Sequence, residues 1–343
     1  MVVWVLRGWA LCLAVLLSSC SVQPERSAFE LAWQRYLALF YEDGRIVDTG
    51  NQDVSHSEGQ GYALLFAVAA DDQQTFSQLW QWTQSTLQRD DNLFHWQYTP
   101  CETRDRLCVS DPNNASDGDM LIAWALLKAA GRWDVPAYRQ AAKAIIQALE
   151  SHVIVKHQQA ALLLPAAAGF VQGDANLQLN LSYWIFPALR AFEQAGSATL
   201  WQNVYNTGLT LLREARFSDY DLPPDWVRWQ ENSLTLTNTL SQEYGFNACR
   251  IPLHLVWAGE TDRDLLRPFL RWWQQPQVPA TYNLATGAPA DYSYTVGMQA
   301  IEHAVSAILQ EQPADFVPLN RKLDYYSASL VLFSMLAVSE SSQ

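Results

Sequence analysis

Polar residues that could do chemistry stand at the start of four strongly apolar segments of the chain. They are Glu58, Asp117, Asp119, Tyr183, Glu243, Asn247 and Arg250. Positioned carboxylates are the groups that general acid–base hydrolysis needs, and one of them must stay protonated near the working pH. If the fold brings these residues together, the sequence therefore predicts a hydrolytic site built on carboxylates.

Aromatic residues near these carboxylates indicate a sugar as the bound molecule. Trp96 and Tyr98 lie in the polar stretch LFHWQY, and Trp226 and Trp229 lie in PPDWVRW. Flat apolar rings with a polar edge can stack on the faces of pyranose rings. We expect these four rings to lie at the surface as platforms and predict Trp96 and Trp226 as substrate-binding residues. Most of the other tryptophans should lie in the core.

The elements that must position these residues are helices of two alternating kinds. Segments 61–70, 120–130, 183–192 and 248–258 are apolar on nearly all sides. The segments that follow them, 73–88, 135–149, 200–212 and 264–273, carry one apolar stripe. In 73–88 the stripe consists of Phe76, Leu79, Trp80, Thr83 and Leu87. Two further apolar segments, 294–309 and 325–336, end the chain. A helix that is apolar all round must be buried, whereas one with a single stripe lies at the surface.

This alternation predicts an all-α fold of ten to twelve helices, an α/α barrel with an inner and an outer ring. A superhelix of helix pairs is the alternative, but it would show a repeat of fixed period, which the sequence lacks. In a barrel all inner helices run the same way, so their first residues gather at one mouth. Helix capping by Ser57, Ser116 and Asp117 is the simpler explanation for single residues. Four equivalent sets favour a shared site.

Several blocks of the chain closely resemble glycoside hydrolase family 8. They are SEGQGYALLFAVAADDQQTFSQLW (57–80), DPNNASDGD, ASDGDMLIAWALLKAAGRW (115–133), NLSYW, PPDW and DYYSASL (324–330). The resemblance covers nearly the whole chain, and endoglucanases that accompany bacterial cellulose synthesis are the most similar branch. It implies an (α/α)6 barrel, hydrolysis of internal β-1,4-glucosidic bonds with inversion, and a β-glucan such as cellulose as substrate.

The resemblance also assigns roles to residues. Glu58 matches the general acid, and Asp117 matches the carboxylate that holds and distorts the sugar at the cleaved position. Tyr183 and Arg250 match polar residues of the same subsite. In the cellulase branch the catalytic base is an aspartate in a Y-D-A-x-R block, whereas this chain reads FNACR, with Asn247 at that place.

Three interpretations of Asn247 remain open, because an amide cannot take a proton from water at neutral pH. Another carboxylate could act as the base, with Glu243 the first candidate, then Glu231 and Asp225. Asn247 could instead only orient the water in a slow enzyme. The protein could also be a non-catalytic glucan binder of a cellulose-export system. Branches with asparagine here include chitosan- and mixed-linkage-glucan-cutting members, so these substrates stay open.

The first 26 residues are typical of an export signal and a short linker rather than of a folded part of the domain. Arg7, an apolar run at 10–17 and the sequence Leu-Ser-Ser-Cys ending at Cys20 are typical of a bacterial lipoprotein signal. We predict a signal peptide at 1–19, an acylated Cys20, a linker at 20–26 and one catalytic domain at 27–343. Ser21 favours the periplasmic face of the outer membrane, with free periplasm as the alternative. Membrane attachment through the lipid and a cellulose-synthase complex are the expected partners besides the glucan.

Net charge and cysteine content further limit the partners and cofactors that this protein can have. The formal net charge is −13, which argues against nucleic acid as a partner and suits a neutral polysaccharide. Cys101 and Cys108 could close a short disulfide loop in an oxidising compartment, and Cys249 is predicted to be a buried free thiol. The spacing of histidines and cysteines matches no metal site, so we expect no metal and no cofactor.

Overall fold

The computed structural model describes residues 27–101, 108–109, 111–172 and 176–341. Within these ranges the chain forms eleven α-helices. The helices are α1 (Ala28–Phe40), α2 (Ser57–Ala69), α3 (Gln73–Leu87), α4 (Ser116–Trp133), α5 (Pro136–His152), α6 (Phe186–Ala195), α7 (Ala198–Glu214), α8 (Ile251–Trp257), α9 (Arg263–Trp273), α10 (Val296–Gln310) and α11 (Tyr325–Ser341). Short 3₁₀ turns, Leu181–Tyr183 and Ala248–Arg250, precede α6 and α8.

Six of these helices close a ring. Helix α2 packs on α4, α4 on α6, α6 on α8, α8 on α10, α10 on α11, and α11 packs back on α2. Helices α1, α3, α5, α7 and α9 lie outside it, and a stretch without helix or strand, 311–324, joins the last two inner helices. The predicted two-ring α/α barrel is therefore confirmed.

The burial of the helices explains the two rings. Helix α2 is buried along almost its whole length, including ten of its thirteen residues, and α11 is buried similarly. Helix α3 buries Phe76, Leu79, Trp80, Thr83 and Leu87, which is the stripe predicted from the sequence. One apolar stripe is enough to pack a helix against an inner ring while its other face meets water.

The described residues also form short strands, which the helical pattern did not predict. The strands are β1 (Tyr41–Glu42), β2 (Arg45–Ile46), β3 (Ser55–His56), β4 (Gln97–Tyr98), β5 (Ile154–His157), β6 (Ala160–Leu163), β7 (Asn176–Leu179), β8 (Val227–Gln230), β9 (Ser233–Leu236), β10 (Glu243–Tyr244) and β11 (Tyr282–Asn283). All pairings are antiparallel, and β7, β8 and β9 make a three-stranded sheet. These strands stiffen the connections between helices, including those that border the site described below.

The structure tests both predictions made for the cysteines. Cys101 and Cys108 are joined by a disulfide bond. Cys249 is a buried free thiol, as predicted. The predicted signal peptide, Cys20 and the whole predicted linker lie outside the described residues. In the described ranges no helix is both long enough and apolar enough to cross a membrane.

Candidate active site

Glu58 and Asp117 lie in the first turns of the adjacent inner helices α2 and α4. The two helices approach closely at Gly118, where an added Cβ would lie 2.2 Å from Ser57 Oγ and 2.8 Å from the backbone nitrogen of Glu58. A second close contact lies one turn further, between Gly61 and Leu121. Because glycine has no side chain, it lets the two helix starts bring their carboxylates to one place.

Ser57, Ser116 and Asp117 do not cap these helices, so the capping interpretation is wrong. All three are already inside the first turn, and the N-cap positions are His56 and Ala115, neither of which makes a side-chain cap bond. Ser116 Oγ instead donates to the carbonyl of Leu164 at 2.7 Å. The serines pack the helix starts, and the carboxylates are free for other contacts.

Arg250 joins the polar residues of several inner helices. Its Nη1 donates to Glu58 Oε1, donates to the Tyr62 hydroxyl at 3.0 Å and lies 3.7 Å from Asp117 Oδ2. Its Nη2 donates to Ser182 Oγ and to Asn247 Oδ1, both at 3.0 Å. The arginine is only 3% exposed, and Glu58 is 20% exposed. A buried guanidinium thus sits between both predicted catalytic carboxylates and Asn247.

Burial sets the protonation of the carboxylates at this mouth. Burial raises the pKa of Asp117 to about 7, although the Gly118 N–H and the Tyr183 hydroxyl oppose the shift. It raises the pKa of Asp119 to about 8, against donors from Asn114 and Phe94. The Tyr183 hydroxyl lies next to the Asp117 carboxyl group. Asp119 faces away from Arg250 and ties α4 to the loop at Phe94 instead.

The candidates for a substitute base lie in very different environments. Asp225 is 7% exposed, and its Oδ1 accepts from the backbone nitrogens of Gly245, Asn247 and Ala248 at 3.1, 3.1 and 2.8 Å. Burial raises its pKa to about 6 despite these donors. Glu243 lies in β10, paired with Asn283 of β11. Of the two, only Asp225 has a described hydrogen bond to Asn247.

Glu231 is the candidate that the fold separates most clearly from the other site residues. It is exposed in the turn between β8 and β9, with a positive φ of 50°. None of its described contacts reaches Glu58, Asp117 or Arg250. Of the three candidates, Asp225 is the one with a described hydrogen bond to Asn247, and the identity of the base stays a prediction.

Two of the predicted aromatic residues flank the carboxylates. Trp96 stacks parallel to His56, with ring centroids 6.0 Å apart, and its Nε1 donates to Asp111 Oδ2 at 3.0 Å. Trp226 stacks parallel to Phe170 at 5.7 Å and lies 6.4 Å from the Tyr183 ring. Both are partly exposed, as a platform for a sugar ring requires.

The other two aromatic residues singled out in the sequence do not form such platforms. Trp229 is 4% exposed and packs edge-on against His157, so its expected place on the surface is wrong. Strand alternation explains the burial of Trp229, because it lies in β8 on the same face as the buried Val227, whereas Trp226 precedes the strand. Tyr98 is partly buried against Trp82 and Arg45.

A cavity of about 480 Å³ opens at the mouth, and several of its residues were missed by sequence reasoning. Its walls include Glu58, Asn247 and Arg250. The missed residues are Asp48, His56, Phe246, Thr295, Asp324, Tyr325 and Tyr326. Burial lowers the pKa of His56, which keeps its ring neutral. Thr295 is the N-cap of α10 and Tyr325 begins α11, so the rule that inner helices start at one mouth would have found them.

The described residues contain no group of three or more His, Cys, Asp or Glu side chains arranged to hold a metal ion. The carboxylates beside the buried Arg250 offer proton transfer as the chemistry of this mouth. An inner ring of helices with paired carboxylates and aromatic platforms at one mouth is the arrangement of an α/α-barrel glycoside hydrolase.

Comparison with known proteins agrees with this class. The model of "Glycosyl hydrolases family 8" matches residues 1–340, and the chain belongs to this family. It is 38% identical to an endoglucanase of Cellulomonas uda over 294 residues, which cover 84% of this chain and 80% of that protein. A probable endoglucanase of Novacetimonas hansenii is 34% identical, with 92% and 93% covered. The solved endo-β-1,4-glucanase of Acetobacter xylinum superposes with a TM-score of 0.84 at 32% identity, covering 93% of this chain and 100% of that one.

Proposed function

We propose that this protein hydrolyses internal β-1,4-glucosidic bonds in cellulose or a related β-glucan, with inversion at the anomeric carbon. The observation that carries the proposal is the contact of one buried arginine, Arg250, with both Glu58 and Asp117 at the mouth of the barrel. The family and its endoglucanase-named relatives support the same substrate class.

Glu58 is the proposed general acid, which gives its proton to the oxygen of the leaving sugar. Its partial exposure allows contact with a substrate, and the Tyr62 hydroxyl donates to its Oε1 at 3.2 Å. In the free protein Arg250 favours the charged carboxylate of Glu58. A bound sugar must therefore replace this contact before Glu58 can carry the proton that it transfers.

Asp117 is the proposed holder of the sugar at the cleaved position. It lies beside Arg250 and next to the Tyr183 hydroxyl, so its carboxyl group has a fixed direction. A fixed acceptor can bind a sugar hydroxyl more strongly in the distorted ring of the transition state than in the relaxed ring. Trp96 and Trp226 supply flat surfaces on either side.

Inversion also needs a group that activates water, in most such enzymes a carboxylate about 6.5–9.5 Å from the acid. Arg250 bridges Glu58 and Asn247, and Asn247 borders the cavity. We expect the water-activating group to act on the Asn247 side of this bridge. We propose that Asn247 orients the water and that a neighbouring carboxylate accepts the proton. Asp225 is supported over Glu243 and Glu231 by its contact with Asn247.

A second candidate function is glucan binding with little or no turnover, as an accessory protein of a cellulose-export system. The specific observation in its favour is Asn247, because an amide cannot accept the proton of the attacking water. Hydrolysis of chitosan or mixed-linkage glucan remains a further alternative for the substrate.

One assay separates these functions. Reducing ends are measured after incubation of the exported form with soluble cellulose, mixed-linkage glucan, xylan and chitosan. The proposed function predicts release from soluble cellulose above the other three. Binding without release would favour the accessory function, and release from chitosan alone would contradict the β-glucan assignment.

We further propose that the chain is exported, acylated on Cys20 and held at the periplasmic face of the outer membrane near a cellulose-synthase complex. The signal-like sequence up to Cys20 supports this location. In a detergent phase-separation experiment the wild-type protein should enter the detergent phase, and Cys20→Ser should remain aqueous. A wild-type protein found wholly in the aqueous phase after export would contradict the anchor.

A further inference from the structure

The backbone that carries Asn247 is held by a buried carboxylate from another loop. Asp225 accepts hydrogen bonds from three backbone nitrogens between Gly245 and Ala248. Gly245 must approach closely, since an added Cβ there would lie 2.9 Å from Asp225 Oδ2. Burying a carboxylate is costly unless donors satisfy it, so three N–H groups make this contact possible.

The side chain of Asn247 connects Asp225 to Arg250. Its amide group lies next to the Asp225 carboxylate on one side, and its Oδ1 accepts from Arg250 Nη2 at 3.0 Å on the other. A carboxylate can only accept and a guanidinium can only donate. The amide group must therefore direct its NH₂ to Asp225 and its oxygen to Arg250, and Asp225 fixes this orientation.

Arg250 links the orientation of the Asn247 amide to the carboxylates of Glu58 and Asp117. Its Nη2 is held by Asn247 and Ser182, which leaves Nη1 directed at Glu58, with Asp117 Oδ2 at 3.7 Å. The Arg250 Nε also donates to the Asn247 carbonyl at 3.4 Å. A guanidinium is planar and rigid, so a change at Nη2 displaces Nη1 as well.

We propose that Asp225 is a positioning residue of the active site, which acts through Asn247 to direct Arg250 at Glu58 and Asp117. The proposal rests on the proposed function of that same site. It differs from a purely structural role, in which Asp225 would only stabilise the backbone at 245–248.

A double-mutant cycle between Asp225 and Asn247 separates the two roles. In Asp225→Asn one amide oxygen can still accept from the three N–H groups, but the new NH₂ faces the NH₂ of Asn247. Two donors repel, so the Asn247 amide should turn and lose its bond to Arg250. Because Asp225 is also the proposed proton acceptor, we expect kcat on soluble cellulose to fall by more than about a hundredfold, with KM changed less than threefold.

In an Asn247→Ala background the same Asp225→Asn change should lower kcat at least about tenfold less than in the wild-type background, because the connection to Arg250 is already lost and only the loss of the proposed proton acceptor remains. The loss of Tm should be similar in both backgrounds, since the backbone contacts of residue 225 do not need the Asn247 side chain. An equal loss of kcat in both backgrounds would overturn the proposal. Asp119→Asn is the matched control: Asp119 is also buried and bound to a backbone nitrogen, and its effect should be additive with Asn247→Ala.

A crystal structure of Asp225→Asn gives a result that does not depend on turnover. It should show Asn247 Oδ1 away from Arg250 Nη2 and Nη1 away from Glu58. Unchanged contacts would overturn the proposal even if activity fell. If the wild-type protein releases no sugar from any glucan, the proposed function fails, whereas the structural comparison still decides the positioning role.

Discussion

The two sides of the barrel mouth hold their functional residues by different means. Glu58 and Asp117 lie on long inner helices that pack directly against each other through Gly118. Asn247 precedes a 3₁₀ turn that carries Arg250, and the backbone here depends on the buried carboxylate of Asp225. Helix packing thus fixes the proposed acid side, whereas one hydrogen-bonded loop fixes the proposed water side. On the acid side, with Glu58 and Asp117, activity should therefore be sensitive to side-chain volume. On the water side, with Asn247 and Arg250, it should be sensitive to charge and hydrogen bonding.

The largest expected effect is on the acid side. Glu58→Gln keeps the volume and removes the proton that must reach the leaving oxygen, so kcat should fall at least 10²–10⁴-fold. Affinity for soluble cellulose, measured by calorimetry, should change little. Glu214→Gln is the control, since Glu214 is exposed at the end of the outer helix α7 and should tolerate the change. Unchanged turnover in Glu58→Gln would remove Glu58 from the mechanism.

On the water side, Asn247→Asp tests whether another carboxylate has replaced the aspartate base that the cellulase branch has at this position. If the chain lost its base and only orients water, a carboxylate here should raise kcat, by up to about 10²–10⁴-fold. If Asp225 accepts the proton, the same change should give no gain or a loss. The new charge would lie against Asp225 and oppose its ionisation. Rates across pH distinguish these cases, and a large gain would exclude Asp225 as the working base.

A volume change should damage the acid side at the helix contact itself. Gly118→Ala places a methyl group 2.2 Å from Ser57 Oγ, so α2 and α4 must separate. Overpacking of this kind costs about 1–3 kcal/mol of unfolding free energy, and kcat should fall because Glu58 and Asp117 move apart. Gly131→Ala in the same helix is the matched control. Its Cβ meets no described atom within 4 Å, and alanine there should stabilise α4 by about 0.5–1 kcal/mol.

The same contrast explains which features could be predicted from the sequence. Inner and outer helices follow from hydrophobic periodicity, and Glu58 and Asp117 follow from their places at helix starts, because periodic burial is a local signal. The contact between Asp225 and Asn247 could not be predicted from the sequence. Asp225 reaches Asn247 across 22 residues of loop and strand, and no local pattern records that contact. The burial of Trp229 was missed because the short strand β8, with its two-residue alternation, was not recognised.

The smallest expected effect concerns the aromatic platform beyond Tyr183. Trp226 is partly exposed and backed by Phe170, so its free face can stack on a sugar without moving the carboxylates. Trp226→Ala should raise KM on soluble cellulose about fivefold, equivalent to about 1 kcal/mol, and leave kcat within twofold. Trp226→Phe keeps a flat ring and should recover most of the affinity. A fall in kcat at constant KM would instead mean that Trp226 supports Tyr183, 6.4 Å away, and through it the orientation of Asp117. In that case the position of Asp117 would depend on packing at two places, the contact between α2 and α4 and the Trp226 side of the cleft.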